Sequence, residues 1–171
     1  MKNEAIEVLM TRRSVKSYKS EQISDDELKT VLDAGTFAPT ARGIQSAFIV
    51  AVQSVEMRKI VSELNAKVGG MSIDPYYGAP TILLVLAPDT ELGILDGAAV
   101  ITTMLNAAHA IGLSSCWINR PRQMFETQEG KELLKQWGLD ASLCGVASIA
   151  LGYSDAAPEA APRKEGYYRT V

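Results

Sequence analysis

The chain has 171 residues, 47% hydrophobic and 22% charged, with a formal net charge of −3. That length suits one domain with a real core, and the acidic balance excludes a general nucleic-acid binder, which needs a broad basic surface. No apolar stretch reaches membrane-spanning length, and Glu4 and Glu7 break the N-terminal segment where a signal peptide would need an apolar run.

Residues 3–10, NEAIEVLM, predict a short amphipathic helix with Ile6, Leu9 and Met10 on one face. The next segment, TRRSVKSYKSEQIS, gathers Arg12, Arg13, Ser14 and Lys16. It reads either as a solvated basic loop or as a local anion site, since arginine grips phosphate bidentately and serine adds a neutral donor. Ser24 predicts a helix N-cap, Glu27 completes a capping box, and Ala38-Pro39 ends that helix. SAFIVAVQ (46–53) predicts a buried strand, and residues 55–68 a helix stopped by Gly69-Gly70. DPYYGAP is a turn leading into TILLVLA (81–87), the most strand-like run in the chain.

Residues 94–113 predict a long helix with so little polar face that it is buried nearly all round, a pattern that suits a position between subunits. SSCWIN (114–119) predicts a strand, residues 122–138 one helix, and CGVASIALGY (144–153) a last buried strand. The tail from residue 154 carries Pro158 and Pro162 and no helical pattern, so it predicts an extended arm. The order of elements supports one layered domain of helices and strands.

Cys116 and Cys144 form no CxxC pair and predict buried free thiols in a cytoplasmic chain. His109 is the only histidine, which argues against a transition-metal site and against a histidine-dependent triad. Neither GxGxxG after a strand nor GxxxxGK[ST] occurs, so a bound nucleotide would be gripped by charged side chains. Two segments offer them: Arg12-Arg13-Ser14 with Lys16, and Arg163-Lys164 in the arm.

Four segments resemble the nitroreductase-like family of FMN enzymes: RRSVKSY, AGTFAPTARGIQSAFIVAV, YYGAPTILLVLA leading to DGAAVITTMLNAAHAIGLSSCWI, and ALGYSDAAPEAAPRK. They occur in the family's order across nearly the whole chain. The resemblance implies an α+β fold of three α/β/α layers with a central mixed sheet. It also implies a single FMN-binding domain over residues 1–171, whose arm (154–171) crosses a homodimer. In the family, the counterparts of Arg12, Arg13 and Ser14 hold the FMN phosphate, aided by those of Arg163 and Lys164. Lys16 matches a residue at the pyrimidine end of the flavin, where a cation raises the reduction potential. Pro39, Thr40 and Ala41 match positions that reach the flavin from the other subunit, and Gly43 matches the Asn/Gly position of the same flavin-binding motif. Backbone groups around Trp117, Ile118 and Asn119 would lie along the ring.

The implied activity is an FMN-dependent NAD(P)H oxidoreductase. Hydride would pass from NADH or NADPH through FMN to nitroaromatic- or quinone-like planar acceptors in a ping-pong cycle, with no side chain needed as general acid. Two alternatives stay open: a flavin carrier or redox sensor without turnover, and a family member that dehalogenates or oxidises rings. The chain departs from the family at Gly43 and Gln45-Ser46-Ala47, where Asn and Gln-Pro-Trp are common. It is also short, leaving little room for inserted helices over a substrate. The residues alone leave Tyr76 and Tyr77 between pocket and packing roles, and Arg42 between a substrate-attracting and a solvated one.

Overall fold

Strand β2 (Thr81–Pro88) is buried from Thr81 to Ala87, which requires cover on both of its faces. It lies inside a four-stranded sheet of order β1-β2-β4-β3, with β1 at Phe48–Val52, β3 at Ser114–Ile118 and β4 at Leu143–Gly152. Alternation splits its side chains: Ile82, Leu84 and Leu86 enter one core, Leu83 and Val85 the other. The first core is closed by α3 (Val55–Val68), α5 (Pro121–Glu126) and α6 (Gln128–Gln136), through Val61, Leu64, Met124, Phe125 and Leu134. The second is closed by α2 (Asp25–Thr36) and α4 (Glu91–Ala110), through Val31, Val100, Ile101 and Met104. A short α1 (Glu4–Thr11) packs on α4. These are the three α/β/α layers expected.

The computed structural model describes residues 3–171, so the first two residues of the expected 1–171 domain, and the leader reading that includes them, lie outside it. Among the described residues no helix is long and apolar enough to cross a membrane. Cys116 and Cys144 are free and buried, as expected.

Several expectations change in detail. All strand pairs are antiparallel, and the mixed character of the sheet reduces to one isolated parallel bridge, Ser14 to Ser115, at the β3 edge. The single helix expected over 122–138 is two. Thr127 is extended (φ −73°, ψ 160°), its Oγ1 accepts from the Gly130 N–H, and its hydroxyl donates to the Met124 carbonyl. That turn is tight enough that a Cβ on Gly130 would lie 2.1 Å from the Met124 oxygen. Helix α4 begins at Glu91, earlier than expected, because Thr90 caps it by accepting from the Gly93 N–H. The apolar face of α1 forms but stays uncovered in the protomer, with Leu9 56% and Met10 71% exposed. A bulge leaves Val146 between Gly145 and Ala147 without its own β2 partner, and α4 meets it at Gly97, where a Cβ would fall 2.6 Å from Val146 Cγ2.

Candidate functional site

Helix α1 ends at Thr11, and Arg12 turns the chain out with φ −54° and ψ 134°. The chain then runs beside β3, fixed by the Ser14–Ser115 bridge and by the Val15 N–H donating to the Ser115 carbonyl at 3.0 Å. Buried Val15 anchors this segment. The register sets Arg12 and Arg13 against the start of β3 and the last turn of α4. Between them is a groove of about 310 Å³, lined by Thr11, Arg12, Arg13, His109 and Ser115, with the arm residues Ala156, Ala157 and Pro158 along one side.

The donors in this groove are not all satisfied. Arg13 Nη1 donates to the carbonyls of Met10 (2.9 Å) and Arg12 (2.7 Å). Arg12 Nη1 is buried without a hydrogen-bond partner, and so is the hydroxyl of Ser115, a residue only 2% exposed. A buried polar group left unpaired costs roughly 1–3 kcal/mol, so two of them in one cationic groove fit an anion with several acceptor oxygens. His109 Nε2 lies 2.9 Å from Thr11 Oγ1, and burial, reinforced by Arg12 and Arg13, holds the imidazole pKa below its ordinary value. Burial pushes the Cys116 thiol up, against the opposing influence of Ser14, Lys16 and Arg12.

Lys16 lies 6.0 Å from the centroid of the Tyr77 ring. Trp117 and Ile118 complete the strand that begins with Ser114 and Ser115, and Asn119 follows its end. The Ile118 side chain is buried in the first core, and Trp117 Nε1 donates to Asn119 Oδ1 at 2.7 Å. The backbone here is held from below by Asn65, which is fully buried. Asn65 Nδ2 donates to the Asn119 carbonyl (2.9 Å) and reaches Tyr76 Oη (3.3 Å), while its Oδ1 accepts from Arg120 Nε (3.1 Å). Arg120 itself is left-handed, with φ 82°. Tyr76 is a packing residue: its hydroxyl pairs with Ser148 Oγ at 2.9 Å, and burial pushes its pKa up to about 12. Tyr77 is half-buried at φ 58°, and Arg42 is exposed.

The other expected residues lie elsewhere in the protomer. Pro39 and Thr40 lead into a single 3-10 turn, Ala41–Gly43, pinned to the first half of α4 by the Ala41 N–H donating to Asp96 Oδ1 at 2.8 Å. Arg42, Gly43 and Gln45 all have positive φ, so this loop follows a path that Asp96 must hold in place. From Asp96 to His109, α4 covers roughly 20 Å, so within one protomer this loop and the Arg12 groove are far apart. Arg163 and Lys164 are exposed and line a separate hollow made by the arm itself, with Tyr167 and Tyr168. The structure therefore joins Arg12, Arg13, Ser14 and Lys16 to the strand carrying Trp117, Ile118 and Asn119, and leaves 39–43 and 163–164 apart from them. Sequence reasoning had no signal for Thr11, Ser115 or Asn65, whose contacts depend on strand register. Asp96 lies in the DGAAV segment, where no local pattern marks it as the acceptor for the Ala41 N–H.

The sequence model of the Nitroreductase family matches residues 9–153, from the end of α1 through β4. The chain belongs to the nitroreductase family. The matched stretch contains every expected family position except Arg163 and Lys164, which follow it in the arm. The chain is 28% identical over 173 residues to an NADPH-flavin oxidoreductase of Vibrio harveyi, covering 94% of this chain and 70% of that protein. It is 26% identical to an FMN reductase [NAD(P)H] of Bacillus subtilis, over 74% of this chain and 60% of that one. A crystal structure of a nitroreductase with bound FMN from Bacteroides fragilis superposes with a TM-score of 0.90 at 28% identity, covering 99% of this chain and all of that one.

Proposed function

We propose that the chain is an FMN-dependent NAD(P)H oxidoreductase of nitroreductase type, working by a ping-pong cycle on nitroaromatic- or quinone-like acceptors. The observation that carries this is the buried, unpaired Arg12 Nη1 in a cationic groove of a nitroreductase-family chain. The names of the flavin oxidoreductase, FMN reductase and FMN-bound relatives support it. When bound, FMN supplies the hydride chemistry between the reduced nicotinamide and the second substrate.

The chain's own residues bind and tune. Arg12, Arg13 and Ser14 are the proposed phosphate holders, with the unpaired Arg12 and Ser115 donors as the fit between groove and phosphate. Lys16 brings a cation to the ring, and the Asn65 network fixes the backbone of Trp117, Ile118 and Asn119 along it. We place Pro39, Thr40, Ala41 and Gly43 in the site of a second copy. Two features support a homodimer: the roughly 20 Å separation along α4, and the exposed apolar side chains Ile6, Leu9 and Met10 on α1 and Leu92 and Leu95 on α4. Arg163 and Lys164, on an exposed arm, are the cations proposed to reach across. The domain is taken as residues 1–171 with the arm at 154–171, and the compartment as the cytoplasm, in keeping with two free buried thiols.

The test is anaerobic mixing of the FMN-loaded protein with NADH or NADPH. Rapid bleaching of the flavin, reversed by a quinone or nitroaromatic, is the expected result. Flavin that stays oxidised would make the protein a carrier or sensor and overturn the reading.

A further inference from the structure

We propose that His109 is a pH-dependent member of the anion clamp, with Thr11 fixing its tautomer and Ser115 adding a neutral donor. The flavin reading supplies the identity of the anion, the phosphate monoester of FMN. The clamp itself follows from the groove.

Thr11 has one hydroxyl proton, and it donates to the Glu7 carbonyl at 2.7 Å. At 2.9 Å from His109 Nε2, the same oxygen can therefore only accept, so Nε2 carries the ring's proton. In the neutral imidazole Nδ1 is then an acceptor, which an anion avoids. Protonation turns Nδ1 into a charged donor. The independent mark of a ligand is Ser115: it lines the same groove, is 2% exposed, and has no partner for its hydroxyl.

The charged groups facing His109 are Arg12 and Arg13, at the end of α1. From β3 come Ser114 and Ser115, and from the arm Ala156, Ala157 and Pro158, none of them charged. Among the described residues no carboxylate pairs with the ring. In the free protein, burial and the two arginines favour the neutral form. A dianion set among these groups reverses that balance. A ring whose pKa rises on binding takes up a proton. Its contribution to affinity is thus full below the free-state pKa and lost as pH rises through the bound-state pKa.

His109 is the only histidine, so its imidazole resonances identify themselves in a proton NMR titration of tag-free protein. The titration is run on the free protein and with FMN, riboflavin or inorganic phosphate. The expected result is a rise of about one unit or more in the imidazole pKa with FMN, a rise with inorganic phosphate, and none with riboflavin. In parallel, His109→Gln binds FMN several-fold more weakly than the wild type near pH 6 and about equally near pH 8, with riboflavin affinity unchanged. Comparing the two proteins at each pH cancels the phosphate's own second ionisation near 6. Ser115→Ala weakens FMN binding and spares riboflavin. FMN bound with an unmoved imidazole, or a shift equally produced by riboflavin, overturns the proposal while the flavin reading stands. A shift with inorganic phosphate in a protein that takes up no FMN keeps the clamp and sinks the flavin reading. An imidazole unmoved by all three in a protein that takes up no FMN sinks both.

Discussion

Replacing Asn65 by leucine keeps the side-chain size and removes the amide that ties α3 to the end of β3. Asn65 is fully buried, with its amide on the Asn119 carbonyl at 2.9 Å and its oxygen accepting from Arg120 Nε at 3.1 Å. Tyr76 keeps a partner in Ser148, so its loss is small. The Asn119 carbonyl and Arg120 Nε lose theirs, at roughly 1–3 kcal/mol for each group that stays dry. Arg120 is half-buried, so water makes good part of that loss, and the leucine's apolar contacts offset about 1 kcal/mol more. A net loss of about 2 kcal/mol remains. For a domain of this size that lowers Tm by about 4–8 °C. The assay is thermal unfolding of Asn65→Leu and wild type, followed by circular dichroism with and without added FMN. A variant melting within about 1 °C of the wild type would show that the network does not hold this backbone, and the reasoning would fail.

Lys16→Ala lowers the flavin midpoint potential, because the cation that favours the reduced, negative ring is gone. Each ~1.4 kcal/mol of lost stabilisation is ~30 mV for a two-electron couple, and an unchanged midpoint in a redox titration refutes the role. Asp96→Ala leaves the Ala41 N–H without its acceptor and frees the 39–43 loop. The expected loss is about 1–3 kcal/mol in denaturant unfolding, together with weaker FMN binding in the dimer; full FMN affinity would remove that loop from the site. Glu27 accepts from Tyr153 at 2.6 Å and from the Ser24 N–H at 2.8 Å, and these bonds hold its carboxyl below the usual carboxylate range. Its stabilising effect is therefore present above the ordinary carboxylate pKa and lost as pH falls through the lowered one. The Tm gap between wild type and Glu27→Gln should be full near neutrality and close on acidification; a gap independent of pH would contradict this.

Legibility in the sequence followed how local the determining interactions are. The α2 capping box needs only Ser24 and Glu27, three residues apart, and it is there as written. Residues 81–87 read as a buried strand because every position is apolar or small, which two covered faces demand. The break at Thr127 is masked because apolar residues recur at helical spacing on both sides of it, while its cap is a single bond accepted from the Gly130 N–H. The uncovered face of α1 shows the converse: the periodicity of Ile6, Leu9 and Met10 predicts a helix but not what meets it. In the site, the basic cluster was visible because Arg12, Arg13, Ser14 and Lys16 are neighbours in sequence. Ser115 and His109 join it only through the register of residues 14–15 on β3 and the packing of α1 on α4. Asn65 reaches Asn119 across 54 positions of sequence, a pairing that no local pattern encodes.

The most direct test of the account is the visible absorption spectrum of the purified protein, repeated on the supernatant after heat denaturation. The account predicts a flavin spectrum and release of about one FMN per chain. A colourless protein that takes up no added FMN would contradict it, and the Arg12 groove would then have to hold some other anion.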